Sequence, residues 1–230
     1  PGTAGDELRA AMAMAEVLAL GAALPDGADG SAGVKHLITG GKAMTNSMEG
    51  TLHQLLGLYD SPFVRRVAVT MQYYAIPFEH LSLSVFRHMD AMRPINPLFK
   101  VPMLTLPSGE KLYESAYIID YLDELADQRG IVPLTPRSGK ERRHVQQLVA
   151  LAMVATEKAV AIEYERKRPG ELQWSDWSGR LRGQMRQALS MLEERLEGDF
   201  LFAGHLTQAD AGDGADIGLR QVPSQQEIAL

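Results

Sequence analysis

Three short segments hold side chains whose types and spacing can bind charge. In Ser61-Pro62-Phe63-Val64-Arg65-Arg66-Val67 a serine stands at an N-cap position and a proline at the first helical position. Capping alone accounts for both. The same hydroxyl, backed by the free amides and positive dipole end of a helix, also suits an anion, and a thiolate fits it well. Lys100-Val101-Pro102 reads either as an ordinary trans X-Pro opening a strand or as a cis-proline. A cis bond would turn the Val101 N–H and C=O outward to pair with an extended, peptide-like ligand. Glu114-Ser115 has a double reading as well. Ser115 is an N-cap, or it holds a carboxylate together with the helix amides while Glu114 meets an ammonium.

Composition limits what these segments can do. The 230 residues include no cysteine, which excludes disulfides, thiolate-ligated metal, a thiol nucleophile and a CxxC redox pair. Any reactive sulfur must arrive with a ligand. With 23 basic and 29 acidic residues the net charge is −6, the wrong sign for a nucleic-acid surface or a binder of anionic lipid. No apolar run approaches the roughly 18 residues of a membrane span, and the chain start lacks a secretory leader pattern. A soluble, cytoplasmic protein with neither nucleic acid nor membrane as partner is expected.

The elements that must position the three segments follow from periodicity. All 15 aromatic residues lie between Tyr59 and Phe202, whereas residues 1–50 and 211–230 hold 12 of the 21 glycines. The core therefore belongs between them, with a peripheral extension or leader over 1–53, including a possible helix at Asp6 to Leu20, and a divergent tail over 211–230. Leu55 to Tyr59 suits a buried strand, and Val64, Val67, Ala68 and Met71 then recur at helical spacing. Phe78 to Leu83 suits a second strand. Val101 to Leu106 and Lys111 to Tyr113 flank the turn Pro107-Ser108-Gly109-Glu110 as a hairpin, and Ile118, Tyr121, Leu122 and Leu125 mark a closing helix. This is the β-α-β, β-β-α order of a thioredoxin-like domain, assigned to 54–127. Beyond Pro136 the pattern is helical only. Val145, Leu148, Val149, Ala152, Ala155 and Ala159 draw one stripe, and Leu181, Met185, Ala188, Leu189, Leu192 and Leu196 a second, with Gly198 as its cap. An all-α domain over 138–210 is expected.

Together the Ser61-Pro62-Phe63 turn with Arg66-Val67, the Val101-Pro102 pair after Asn96-Pro97, and Glu114-Ser115 followed by Tyr121-Leu122-Asp123-Glu124 resemble the glutathione transferases. The Ser-Pro-Phe turn is most similar to the serine-type, tau-like and bacterial classes. The resemblance spans residues 54–210. It implies that Ser61 donates a hydrogen bond to the glutathione sulfur, with Tyr59 as the rival hydroxyl. It further implies that Val101 pairs with the cysteinyl backbone before cis-Pro102, that Glu114 and Ser115 hold the γ-glutamyl end, and that Lys100 lies near the glycyl side, where Arg87 or His88 could also reach. Glutathione is then the co-substrate, a small electrophile the second substrate, and a homodimer the expected assembly. The electrophile would lie between Ser61 and the first long helix of the second domain, around His144, Leu148, Leu151 and Tyr164.

One stretch departs from the resemblance. Gly204 to Asp210 looks like the start of a buried helix, with Thr207 as N-cap and Asp210 at the third position, but 211–219 carries three glycines and no stripe, so no helix is expected to follow. A non-catalytic, glutathione-transferase-like binding or interaction module is therefore the alternative to an enzyme. No phosphate loop, dinucleotide fingerprint or metal-ligand spacing is found, and no metal is expected.

Overall fold

Gly57, with a φ of 132°, ends the first strand two residues after Leu55, so β1 spans only His53–Leu56. The computed structural model describes residues 52–195, 201 and 206–212. The possible helix at Asp6 to Leu20, Leu196, Gly198 and nearly all of the tail lie outside them. After β1 come α1 (Pro62–Tyr73), β2 (Phe78–Leu81), α2 (Met89–Met92), β3 (Met103–Thr105), β4 (Lys111–Tyr113) and α3 (Ser115–Gln128). The sheet order is β2-β1-β3-β4, with β1 parallel to β2 and the other pairs antiparallel. This is the thioredoxin-like arrangement, and α1 is the crossover that a parallel pair requires.

The strands are shorter than their apolar runs because turn geometry removes residues from the ladder. Leu58 and Tyr59 leave with the turn after Gly57, and the ladder of β3 begins only after the Val101–Pro102 peptide. The hairpin closes as expected: Leu106 N–H donates to Glu110 C=O, and Gly109 supplies a φ of 87°. The short α2 lies between β2 and β3, in a stretch to which no element was assigned from sequence. Its Met92 is fully buried beside Leu56 and Met103, forming a small core under the loop that leads to Pro102.

The main core joins Leu55 and Leu104 of the sheet to Val64, Val67 and Met71 of α1 and to Ile118 and Leu122 of α3. A polar knot sits inside it. Tyr74 donates to Asp123 (2.5 Å) and accepts from Leu134 N–H (2.6 Å). Burial pushes the Asp123 carboxyl above its ordinary value, against the pull of hydrogen bonds from Tyr74 and Thr135. The folded state therefore binds the proton more tightly than the unfolded chain. The stability it contributes is complete below the ordinary carboxylate range and falls as pH rises through the raised folded value. Asp123→Asn retains an acceptor for Tyr74 and should remove that slope, so thermal melts from acid to neutral pH should show the variant gaining on the wild type as pH rises. Parallel curves would exclude this role.

The second half is helical: α4 (Gly139–Arg166), a 3-10 turn (Gly170–Leu172) and α5 (Ser175–Glu193). Val145, Leu148, Ala152 and Ala155 of the first expected stripe are buried, as are Leu181, Ala188 and Leu192 of the second. One expectation needs correction. Within α4 an 18-residue window has a mean hydropathy of 1.4, so this helix is long and apolar enough to cross a membrane by length and composition. Part of its apolar face forms the second core, with Leu148 and Ala152 packed on Leu192, Leu201 and Ala209.

The helix start expected at Thr207 is present as α6 (Gln208–Gly212), which runs two residues into the stretch where no helix was expected; residues 213–219 lie outside the described ones. Thr207 caps it by accepting from Ala209 N–H (3.2 Å), while Asp210 accepts from the Thr207 N–H and hydroxyl and from Leu201 N–H, each at 2.8 Å. Gln208 donates from its backbone to Leu134 C=O (3.2 Å) and from Nε2 to Thr70 on α1 (2.8 Å). The resulting position of Ala209 is fully buried. A segment assigned by sequence to the all-α domain is thus bonded to the first one as well.

Candidate functional site

The turn Gly57 to Ser61 carries the chain from the C-terminal end of β1 into α1. Ser61 is the N-cap residue with Pro62 first in the helix, but the side chain does not do the capping. Its carbonyl accepts from Val64 and Arg65 N–H, while its hydroxyl makes no hydrogen bond among the described residues. A half-buried donor is therefore left free at a helix N-terminus, where the dipole favours an anion. The rival Tyr59 is 38% exposed, and its ring stacks on His80 with centroids 4.0 Å apart. Burial pushes its phenol up, so it remains a neutral hydroxyl at physiological pH.

Two other segments meet this turn at Gly57. A Cβ on Gly57 would lie 2.6 Å from Cγ2 of Val64 on α1 and 2.9 Å from Cβ of Val101. Only the missing side chain lets strand, helix and the loop before β3 approach so closely. The Val101–Pro102 bond is cis, the second of the two readings open at the sequence level. Neither the N–H nor the C=O of Val101 is used in a backbone hydrogen bond among the described residues, so one rung is available to an extended ligand. The fully buried Asn96 fixes the preceding loop, donating to Lys100 C=O (2.6 Å) and accepting from Leu98 N–H (3.1 Å).

At the third segment the cap moves by one residue. Glu114, not Ser115, is the N-cap position of α3, and Ser115 is its first residue. Glu114 holds a φ of 65°, a region that costs a non-glycine residue about 1–2 kcal/mol and that concentrates at binding sites. Its carboxylate is paired with Lys100, so the lysine expected near another part of the ligand stands against the acid expected to hold an ammonium. Ser115 is buried and accepts from Nη1 of Arg66 (3.4 Å). Arg66 also lies 2.8 Å from Sδ of Met153 on α4. Burial pulls its guanidinium down to about 10 against the nearby Asp123, and its Nε has no partner among the described residues. Sequence reasoning quoted Arg66 only as part of a motif; nothing in its immediate neighbours shows that this one is buried and Arg65 is the turn clamp, donating to Tyr59 C=O (2.7 Å).

The outlying expectations do not converge on the site. His88 Nδ1 accepts from Ser84 N–H (3.0 Å), which turns it back on its own loop, and Arg87 is exposed. Leu148 is core. His144 and Tyr164 are 20 positions apart on one helix, about 30 Å at 1.5 Å per residue, so no small molecule meets both. Tyr164 reaches the first half of the chain, edge-on to Phe86 in the loop after β2 (5.8 Å, 86°). Among the described residues no group of acidic or histidine side chains is arranged to hold a metal ion.

Comparison with known proteins bears on the whole arrangement. Residues 55–130 match the glutathione S-transferase N-terminal domain. The uncharacterized GST-like protein YibF of Escherichia coli is 29% identical over 141 residues, covering 61% of this chain and 68% of that one. Glutathione S-transferase U6 of Arabidopsis thaliana is 25% identical over 66% of this chain and 63% of its own, and U4 of the same plant 31% over 36% and 37%. The chain thus spans between about a third and two thirds of these relatives. Among solved structures, a glutathione S-transferase from Methylobacillus flagellatus with glutathione bound superposes with a TM-score of 0.64 at 28% identity, over 70% of this chain and 78% of that one. A glutathione transferase family member from Pseudomonas fluorescens, also with bound glutathione, gives 0.59 at 32% identity over the same 70% and 78%. On this match, and on the N-terminal domain that contains all three segments, the chain belongs to the glutathione transferase family.

Proposed function

We propose that the protein binds glutathione across the Ser61, Val101 and Glu114-Ser115 segments and joins it through its sulfur to small electrophiles. The free Ser61 hydroxyl at the start of α1 carries this reading. A free thiol has a pKa near 8.5 and is largely protonated at neutral pH, so a donor aimed at its sulfur, helped by the helix terminus, favours the attacking thiolate. The sulfur then displaces a leaving group from, or adds to, the electrophilic carbon, and the thiol proton passes to solvent. Val101 offers backbone pairing to the cysteinyl unit, while Glu114 and Ser115 offer partners to the ammonium and carboxylate of the γ-glutamyl end. Pro102 keeps the Val101 backbone turned to the ligand.

The electrophile side lies between the Ser61 turn and the C-terminal half of α4, with Phe86 and Tyr164 at its rim. Residues 54–127 form the glutathione-binding domain and 138–210 the helical one, which operates as a cytoplasmic homodimer. Retention on immobilised glutathione followed by a conjugation assay with an aromatic halide tests the reading. Retention without turnover would favour a binding module instead, and no retention would remove the glutathione site. Glu114→Gln should raise the KM for glutathione about tenfold while kcat stays within about twofold, the loss of one charged contact of about 1.4 kcal/mol. A fall in kcat at unchanged KM would move Glu114 out of the binding role.

A further inference from the structure

The position of the Ser61 hydroxyl depends on the turn from Gly57 to Asp60, and that turn has little core beneath it. Tyr59 and Asp60 are exposed. Two side chains hold the turn: Arg65 from α1, donating to Tyr59 C=O (2.7 Å), and one on the neighbouring strand. His80 pairs with Leu55 in the β1–β2 register, and its ring reaches beyond the end of β1. Its Nε2 lies 2.6 Å from the Gly57 carbonyl. A carbonyl only accepts, so this nitrogen carries hydrogen. The face of the same ring stacks on Tyr59, 4.0 Å between centroids and 15° between planes. One imidazole therefore grips both the first and the third residue of the turn. Leu81 C=O, next in the same strand, accepts from Gly57 N–H (3.0 Å), so β2 holds Gly57 by both its amide and its carbonyl.

We propose that His80 is a positioning residue, setting the Gly57–Asp60 turn and through it the Ser61 hydroxyl. As it concerns the thiol, this inference rests on the glutathione reading above. Two features separate it from ordinary packing. The hydrogen bond and the ring stack are different contacts, removable one at a time, and both fall on the turn rather than on Val101, Glu114 or Ser115. Loss of the His80 grip should accordingly spoil thiol activation and spare glutathione binding. Misplacement of a catalytic group by about 1 Å is enough to cost rate heavily.

The test compares wild type, His80→Phe, which keeps a stacking ring without the donor, and His80→Gln, which keeps a donor without the ring. Ultraviolet absorbance of the bound thiolate is titrated against pH, kcat and KM are measured, and amide hydrogen exchange is followed over residues 57–61 without ligand. For His80→Phe the bound thiol should titrate about one unit higher and kcat at neutral pH should fall about tenfold, with the KM for glutathione within about twofold. His80→Gln should recover part of the kcat. Exchange over 57–61 should quicken in His80→Phe while α3 exchanges as before. A folded His80→Phe with unaltered exchange over 57–61 overturns the proposal, as does one with an unaltered thiol titration in an enzyme whose wild type holds a thiolate. Quickened exchange in a protein that forms no bound thiolate would uphold the positioning of the turn and strike down the glutathione reading alone.

Discussion

Ser61→Ala should lower the rate of conjugation between about tenfold and a hundredfold at neutral pH while leaving the melting temperature nearly unchanged. A hydrogen bond from a neutral hydroxyl to an anion is worth about 1.5–3 kcal/mol, and each 1.36 kcal/mol is one order of magnitude in thiolate population at a fixed pH below the thiol's pKa. The stability half of this prediction is unusual for an N-cap, where loss of a serine side chain typically costs about 1 kcal/mol. Here the side chain makes no capping bond, so there is little to lose. The deficit should shrink as pH rises, because glutathione ionises without help in alkali. Rate profiles of wild type and Ser61→Ala from pH 6 to 9, with Tyr59→Phe beside them, read all of this. If Tyr59→Phe lost the activity and Ser61→Ala kept it, the donor would be the tyrosine.

Gly57→Ala should damage both fold and site. The new methyl would sit 2.6 Å from Val64 Cγ2 and 2.9 Å from Val101 Cβ, at a φ of 132° that an L-residue avoids. Backbone strain and overpacking each cost about 1–3 kcal/mol, so a loss of about 3 kcal/mol is expected. Relief of the clash pushes α1 and the Pro102 loop apart, which separates the Ser61 hydroxyl from the Val101 backbone. Glutathione affinity should drop at least about tenfold, on the same grounds. Gly109→Ala is the control, since Gly109 has a φ of 87° but nothing within 4 Å of the added carbon. It should cost no more than about 1 kcal/mol and leave affinity alone. Denaturant melts and calorimetric titration with glutathione would compare the two; equal behaviour would mean that Gly57 is not a point of convergence.

The parts of the fold that were legible in the sequence are those written in local chemistry. Ser61-Pro62 announces a helix start, Pro107 to Glu110 a hairpin, and the stripes from Val145 and Leu181 two long helices, all of which the structure contains. What stayed hidden depends on partners distant in sequence. His80 is one residue in a short strand, and only the parallel pairing with β1 brings its ring to the turn. Arg65 and Arg66 are adjacent and identical in type, yet α1 sends one to the Tyr59 carbonyl and buries the other against Ser115 and Met153. The docking of the helix after Thr207 is hidden in the same way: the cap pattern marks where it starts, but its support comes from Thr70 and Leu134, far upstream. The choice between Ser61 as cap and Ser61 as free donor could not be made without the side-chain geometry, since one sequence serves both.

The contacts of Gln208 bear on how the chain can be taken apart. Leu134 and Leu206 pack into the core of the first half, Ala209 into that of the second, and the Gln208 amide reaches Thr70. Neither half is therefore a self-sufficient folding unit with a clean edge at the connection near residue 137. Opening of the short segment around Thr207 would uncover apolar surface on both sides at once, so the two cores should melt in one cooperative step. A fragment cut at 137 would lose its own lid and the Gln208 amide that Thr70 on α1 accepts from, which makes the end of α6 a sounder boundary than the junction between the two halves.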